Sequence, residues 1–95
     1  KGRKIANIAE AAGIPCMIGC MGESEIGIAA GAHLAAEVKN IQYADLDSDL
    51  LLKDKLVKKG GTEVKNSMRV FPSQYGLGIT ELDQELLGKP KMIYK

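Results

Sequence analysis

Asp45 and Asp47 stand two residues apart in the run Asn40-Ile41-Gln42-Tyr43-Ala44-Asp45-Leu46-Asp47. In extended backbone, residues i and i+2 point the same way, so both carboxylates face one space. Two like charges held together raise each other's pKa unless a cation lies between them. A metal ion or an ammonium group would serve, and hard metals such as Mg2+ take carboxylate oxygens. Alone, the pair is a short motif that also describes two solvated acids opening a loop. A second stretch, Gly19-Cys20-Met21-Gly22, precedes Glu23-Ser24-Glu25 and a helical pattern. Backbone N–H groups at such a junction suit an anion. The stretch lacks the full G-x-G-x-x-G spacing and the P-loop lysine. It therefore reads first as a tight strand-to-helix turn, which leaves room for backbone recognition of a ligand.

The chain has two cysteines, Cys16 and Cys20, and one histidine, His33. On a strand, residues four apart share a face but lie roughly 13 Å apart. That is too far for a disulfide between them. Two reduced thiols point to a cytoplasmic protein. With His33 alone to add, they fall short of a four-ligand zinc site. His33 lies among small residues and reads as a packing histidine with a local hydrogen bond, because neither a polar partner nor a cleft is evident.

These groups need elements to position them. Lys4 to Ala12 carries Ile5, Ile8, Ala9 and Ala12 at i, i+3, i+4 and i+7, the pattern of an amphipathic helix. Gly13 suits its C-terminal cap and Pro15 blocks continuation. Cys16 to Gly19 is short and apolar, as expected of a parallel strand covered on both faces. Ser24 is a candidate hydroxyl cap for the next helix, and Glu23 and Glu25 favour its positive end. That helix runs to about Val38 and is thinned by Gly27, Ala29, Ala30, Gly31, Ala32, Ala35 and Ala36, with Asn40 at its end. Such a helix needs close packing on both sides and suggests the interior of a larger assembly.

Ile41 to Ala44 is a second strand. The order strand, helix, strand makes the two strands parallel neighbours. In parallel α/β folds ligands bind beyond the carboxyl ends of the strands, and both candidate loops lie there. After Asp49 come the apolar Leu50-Leu51-Leu52, the charged stretch Lys53 to Lys59, and a Gly60-Gly61 turn. Thr62 to Asn66 and Met68 to Phe71 predict two short strands joined at a tight Asn66-Ser67 turn. Pro72 to Gly78 is a loop, and Glu81 to Leu87 predicts a helical turn or two capped by Thr80. The basic tail, Lys89 to Lys95, is expected to be mobile. Apolar residues in this half come in twos and threes. Both edges of a two-strand sheet would stay open, so these residues are not expected to fold alone.

Lys and Arg number 13 against 12 Asp and Glu. That balance argues against a dedicated nucleic-acid or membrane-surface binder. No apolar run approaches the roughly 20 residues that cross a bilayer, and no apolar h-region follows Lys1 as in a signal peptide.

Three stretches, AEAAGIPCMIGCMGESEIGIAAGAHLAA, NIQYADLDSDLLL and PSQYGLGI, resemble the C-terminal part of enolase-superfamily enzymes, in the muconate-lactonizing subgroup and its dipeptide epimerases. The resemblance covers about Lys4 to Ile79. It implies an α/β fold: the C-terminal part of a modified TIM barrel, (β/α)7β, with a segment returning to an α+β capping domain. Ile14–Gly19 would be the seventh barrel strand and Ile41–Ala44 the eighth. Residues 1–49 would end the barrel domain, and 50–95 would cross back to the cap.

The implied reaction is a 1,1-proton transfer at the carbon next to a carboxylate, with Mg2+ as cofactor and two lysines exchanging the proton. Its metal ligands and catalytic lysines are expected upstream of Lys1, and Lys1 and Lys4 do not match them. Substrate binding is what carries over. Asp45 and Asp47, flanking Leu46, would bind the α-ammonium of a dipeptide. Cys20, Met21 and Gly22 would line the same pocket. Glu23 would touch the substrate or anchor the loop. The partners implied are a small dipeptide, the rest of the chain's own barrel and cap, and further copies in a homo-oligomer.

Alternatives within the superfamily are an o-succinylbenzoate synthase, an N-acylamino-acid racemase or a muconate cycloisomerase. The substrates of the first two lack a free ammonium, and the D-x-D counts against them. An alternative of another class is a non-catalytic α/β interaction module that pairs through its open edges.

Overall fold

A computed structural model describes residues 1–89 of the 95-residue chain. The expectation of a mobile tail therefore falls outside the described residues from 90 onward. Helix α1 spans Gly2–Ala11. It ends in a Schellman turn: Gly13, at φ +70°, donates its N–H to the Glu10 carbonyl at 2.9 Å, and Ile14 donates to Ala9 at 2.9 Å. Glycine takes that left-handed backbone without strain, and the two bonds satisfy carbonyls the helix leaves open. The predicted apolar stripe is present but uncovered: Ile5 is 65% and Ile8 72% exposed, and Ala6 is the residue of α1 that is buried.

Strand β1 (Cys16–Ile18), helix α2 (Glu25–Glu37) and strand β2 (Ile41–Ala44) form the expected β-α-β unit, and β1 pairs with β2 in parallel. The register sets Met17 opposite Tyr43 and Ile18 opposite Ala44. The sheet has only these two strands, so both edges are open among the described residues. Its core is small: Ile28, Ala29 and Ala32 of α2, with Val38 and Ala6. Small residues matter at Gly31, where an added Cβ would lie 3.3 Å from the Leu46 side chain and 3.5 Å from that of Ile18. The bare helix surface lets α2 lie against the strand ends.

Asn40 does more than follow the helix. Its buried side-chain amide nitrogen donates to the Ala6 carbonyl at 3.1 Å and the Ile14 carbonyl at 3.0 Å, while the Asn40 backbone carbonyl accepts from Cys16 N–H at 2.9 Å. One residue thus ties α1 and the connecting loop, through its side chain, and the foot of β1, through its backbone, to the start of β2, and each such bond contributes about 1 kcal/mol net.

In the second half, β4 (Glu63–Lys65) and β5 (Met68–Val70) form the predicted hairpin. Asn66 and Ser67 have φ of 50° and 62°, and two left-handed central residues match the twist of a two-residue hairpin turn. A second antiparallel pair, β3 (Val57–Gly60) with β6 (Ile79–Leu82), escaped the sequence reading. Its strands are four residues each and far apart in the chain, so no sustained local alternation marks them. The last helix, α3, is Gln84–Leu87, and its cap is Asp83, whose Oδ1 accepts from Glu85 and Leu86 N–H. Thr80 is instead in β6, where its hydroxyl donates to the Lys59 carbonyl at 3.3 Å. Leu50 and Leu51 belong to a 3-10 turn, Ser48–Leu51, and remain 56% and 84% exposed. Among the described residues no helix is long and apolar enough to cross a membrane.

Candidate substrate-binding site

Two loops meet at the carboxyl ends of β1 and β2. The first, from Gly19 to Ser24, leads into α2, and the second, from Asp45 to Asp47, leads out of β2. The Asp45 N–H donates to the Ile18 carbonyl at 2.9 Å, which extends the strand pairing up to the acids. The sulfur of Cys20 lies 3.8 Å from Asp47 Oδ1. One donor atom each from Cys20, Asp45 and Asp47 lie within 4.8 Å of one another. Cys20 is thereby brought to one open spot with acids 25 and 27 places further along the chain, as the parallel topology requires.

Backbone alternation sends Leu46 the other way, onto Gly31 of α2. Leu46 is thus a packing anchor for the loop, while Asp45 and Asp47 stay exposed. Met21 projects into solvent at 91% exposure. Gly22 has φ +58° and open space where a side chain would begin. The Glu23 carboxylate lies back over Gly27 of the helix's first turn, close enough that a Cβ there would meet its Oε2 at 2.6 Å. His33 faces away from chemistry: its Nδ1 is 2.7 Å from the Ala29 carbonyl oxygen, and its ring meets Phe71 edge-on at 4.8 Å.

Ser24 occupies the N-cap position of α2, but its side chain makes no capping bond. The serine that serves this turn is Ser48. Glu23 N–H donates to Ser48 Oγ at 3.1 Å, and the Ser48 hydroxyl donates to the Glu23 carbonyl at 3.3 Å. Next to it, Asp49 is buried and receives a two-pronged pair from Arg69 of β5, Nη1 to Oδ2 and Nη2 to Oδ1, each 2.9 Å. The same guanidinium donates to the Leu46 carbonyl at 2.5 Å and to Thr62 Oγ1 at 3.3 Å. Lys55 donates to the Asp49 carbonyl. Hydrogen bonding from Arg69 holds the Asp49 carboxyl below the usual carboxylate range, against burial, which pushes it up. Ser48, Asp49 and Arg69 were not singled out in the sequence. Asp49 reads there as one more loop acid, and Arg69 lies 20 residues away in a polar hairpin.

The donor set bears on what cation this spot takes. Mg2+ needs near-octahedral oxygen ligands, and a thiol beside two carboxylates does not match that demand. An ammonium group, with three N–H donors and no geometric preference for sulfur or oxygen count, matches two adjacent carboxylates through charge-assisted hydrogen bonds.

The class this defines is a parallel α/β unit that presents acids at its strand ends. The chain belongs to the enolase C-terminal domain-like family, whose model matches residues 1–86. It is 45% identical over 76 residues to the L-Ala-D/L-Glu epimerase of Bacillus subtilis (strain 168), covering 80% of this chain and 20% of that protein. It is 47% identical over 78 residues to the hydrophobic dipeptide epimerase of Enterococcus faecalis, covering 81% and 22%. A solved structure of a substrate-liganded complex of the L-Ala-D/L-Glu epimerase from Bacillus subtilis superimposes with a TM-score of 0.79 at 41% identity, covering 85% of this chain and 22% of that one. The chain thus spans about a fifth of the length of the relatives it matches. The likeness to the C-terminal region of dipeptide epimerases, read from the three stretches, is borne out.

Proposed function

We propose that these residues are the C-terminal part of a dipeptide epimerase, an isomerase that inverts the carbon next to a carboxylate by 1,1-proton transfer. On this reading Ile14–Gly19 and Ile41–Ala44 are the seventh and eighth barrel strands, residues 1–49 close the barrel domain, and residues 50–95 return to the capping domain. The open edges of the two-strand sheet and the uncovered Ile5 and Ile8 support that placement, because each needs a neighbour.

The observation that carries the reading is the convergence of Cys20, Asp45 and Asp47 at the strand ends of a chain so similar to dipeptide epimerases. Asp45 and Asp47 bind the substrate's α-ammonium and fix its distance from the reacting carbon. Cys20, Met21 and Gly22 form the adjoining wall, where Gly22 leaves space for the substrate side chain. Leu46 holds the loop through its packing on Gly31. Glu23 anchors the wall through its backbone bonds to Ser48. The residues here orient substrate. Lys1 precedes α1 and Lys4 lies on it, and neither is assigned a part in the proton transfer. Mg2+, which this class of reaction implies, would be held elsewhere in the protein, since the donor set at this spot does not suit it.

The test is the complete enzyme with Asp47→Asn, assayed on a free dipeptide and on its N-acylated form. Each charge-assisted hydrogen bond is worth about 1.5–3 kcal/mol. The variant should lower kcat/KM for the free dipeptide by roughly one to two orders of magnitude, at about 1.4 kcal/mol per tenfold. The acylated substrate carries no cation and should lose much less. Equal losses on both substrates would mean that the acids serve the chemistry or the fold instead. The same comparison separates the epimerase from an N-acylamino-acid racemase, which would prefer the acylated compound.

A further inference from the structure

We infer that Arg69 is a positioning residue for the Asp45–Asp47 pair, acting from a hairpin outside the β-α-β unit. One guanidinium grips the acid loop at two points. It donates to the Leu46 carbonyl, midway between the two acids, and forks onto the Asp49 carboxylate two residues beyond Asp47. Arginine's rigid, planar fork suits this double grip, and a lysine cannot reproduce it. Both partners are nearly dry: the Arg69 side chain is 13% and the Asp49 side chain 7% exposed. Thr62 and Lys55 complete the cage from the same flanking segment.

The consequence lies in what is left free. Asp45 and Asp47 are exposed and have no guanidinium of their own among the described residues, whereas the buried acid next to them is fully paired. Asp49 therefore absorbs the arginine, and the two acids of the D-x-D keep their charge for a ligand. Leu46 is fixed on both sides, by Gly31 through its side chain and by Arg69 through its carbonyl. That fixes the directions of its two neighbours. The role of the D-x-D rests on the proposed function above, but the grip of Arg69 on the loop does not.

The experiment uses the complete protein with Arg69→Met and Arg69→Lys, and has two readouts. The first is the labelling rate of Cys20, followed by peptide mass with Cys16 as internal control. Loosening the acid loop uncovers the thiol beside Asp47, so Cys20 should label about threefold faster or more, with Cys16 unchanged. The second is steady-state kinetics on a free dipeptide. KM should rise by about tenfold while kcat changes by less than about threefold, the mark of lost ground-state and transition-state binding alike. Should Arg69→Met fail to fold, Arg69→Lys keeps the charge and still lacks the second prong, so the same shifts are expected in milder form. Unchanged Cys20 labelling and unchanged KM in a folded variant would overturn the inference. So would a parallel rise in Cys16 labelling, which would show general loosening. If the parent protein does not act on dipeptides but Cys20 labelling responds, the epimerase reading fails and the role of Arg69 stands.

Discussion

Ser48 and Glu23 exchange two hydrogen bonds, Glu23 N–H to Ser48 Oγ at 3.1 Å and Ser48 Oγ to the Glu23 carbonyl at 3.3 Å. This small ring joins the loop after β1 to the turn after β2, the two segments that carry Cys20 and the acids. Replacing Ser48 with Ala removes both bonds and leaves a partly buried N–H and carbonyl to find water. A loss of about 1–2 kcal/mol is expected. Thermal melting of the complete protein would measure it. A melting temperature equal to that of the parent would show that the ring contributes nothing.

Asp49 makes the stability depend on acid. Its folded-state pKa is lowered by the Arg69 hydrogen bonds and charge. A lowered carboxylate stabilises the fold above the unfolded-state pKa, about 3.9, and that contribution is lost as pH falls from there through the folded value. The melting temperature of the complete protein should therefore drop as the pH is taken below about 4. In Asp49→Asn the neutral-pH stability should be lower, because Arg69 is left without its partner, and the acid drop shallower by up to about 1.4 kcal/mol per pH unit. Identical acid slopes in both proteins would remove Asp49 as a source.

The two cysteines should behave differently. Cys16 lies in β1, with its sulfur 3.5 Å from the Asn40 amide nitrogen, and Cys20 lies in the loop beside Asp47. Thiol labelling of the complete folded enzyme should modify Cys20 first, and a dipeptide should protect it. Faster labelling of Cys16 would reverse the assignment of Cys20 to the pocket mouth.

The 95 residues expressed alone should not form a stable monomer. Among the described residues the buried apolar ones are Ala6, Ile28, Ala29, Ala32 and Val38, while Ile5, Ile8, Ile14 and Met17 are each more than half exposed. So small a core does not offset the entropy of ordering the chain. Calorimetry of the isolated segment should show no sharp transition from a monomeric species. A cooperative melt by a monomer would count against the placement in a larger barrel.

The sequence by itself determined the β-α-β unit, because each part carries its signal locally. Gly13 and Pro15 stop α1, the apolar run Cys16 to Ile18 marks a short strand, whose Met17 stays 65% exposed and so is not covered on both faces here, and the small residues of α2 allow close approach. It likewise determined the hairpin turn at Asn66-Ser67, where both residues tolerate left-handed backbone. The D-x-D and its proximity to Cys20 followed from parallel topology alone, since both lie at carboxyl ends. Tertiary structure decided what no local pattern encodes. The pairing of charged β3 with distant β6, the replacement of Ser24 by Ser48 at the α2 turn, and the Arg69 fork on Asp49 all join residues about 20 or more places apart. A side chain's hydrogen-bond partner over that range is set by where the backbone returns, and residue type alone does not carry that information.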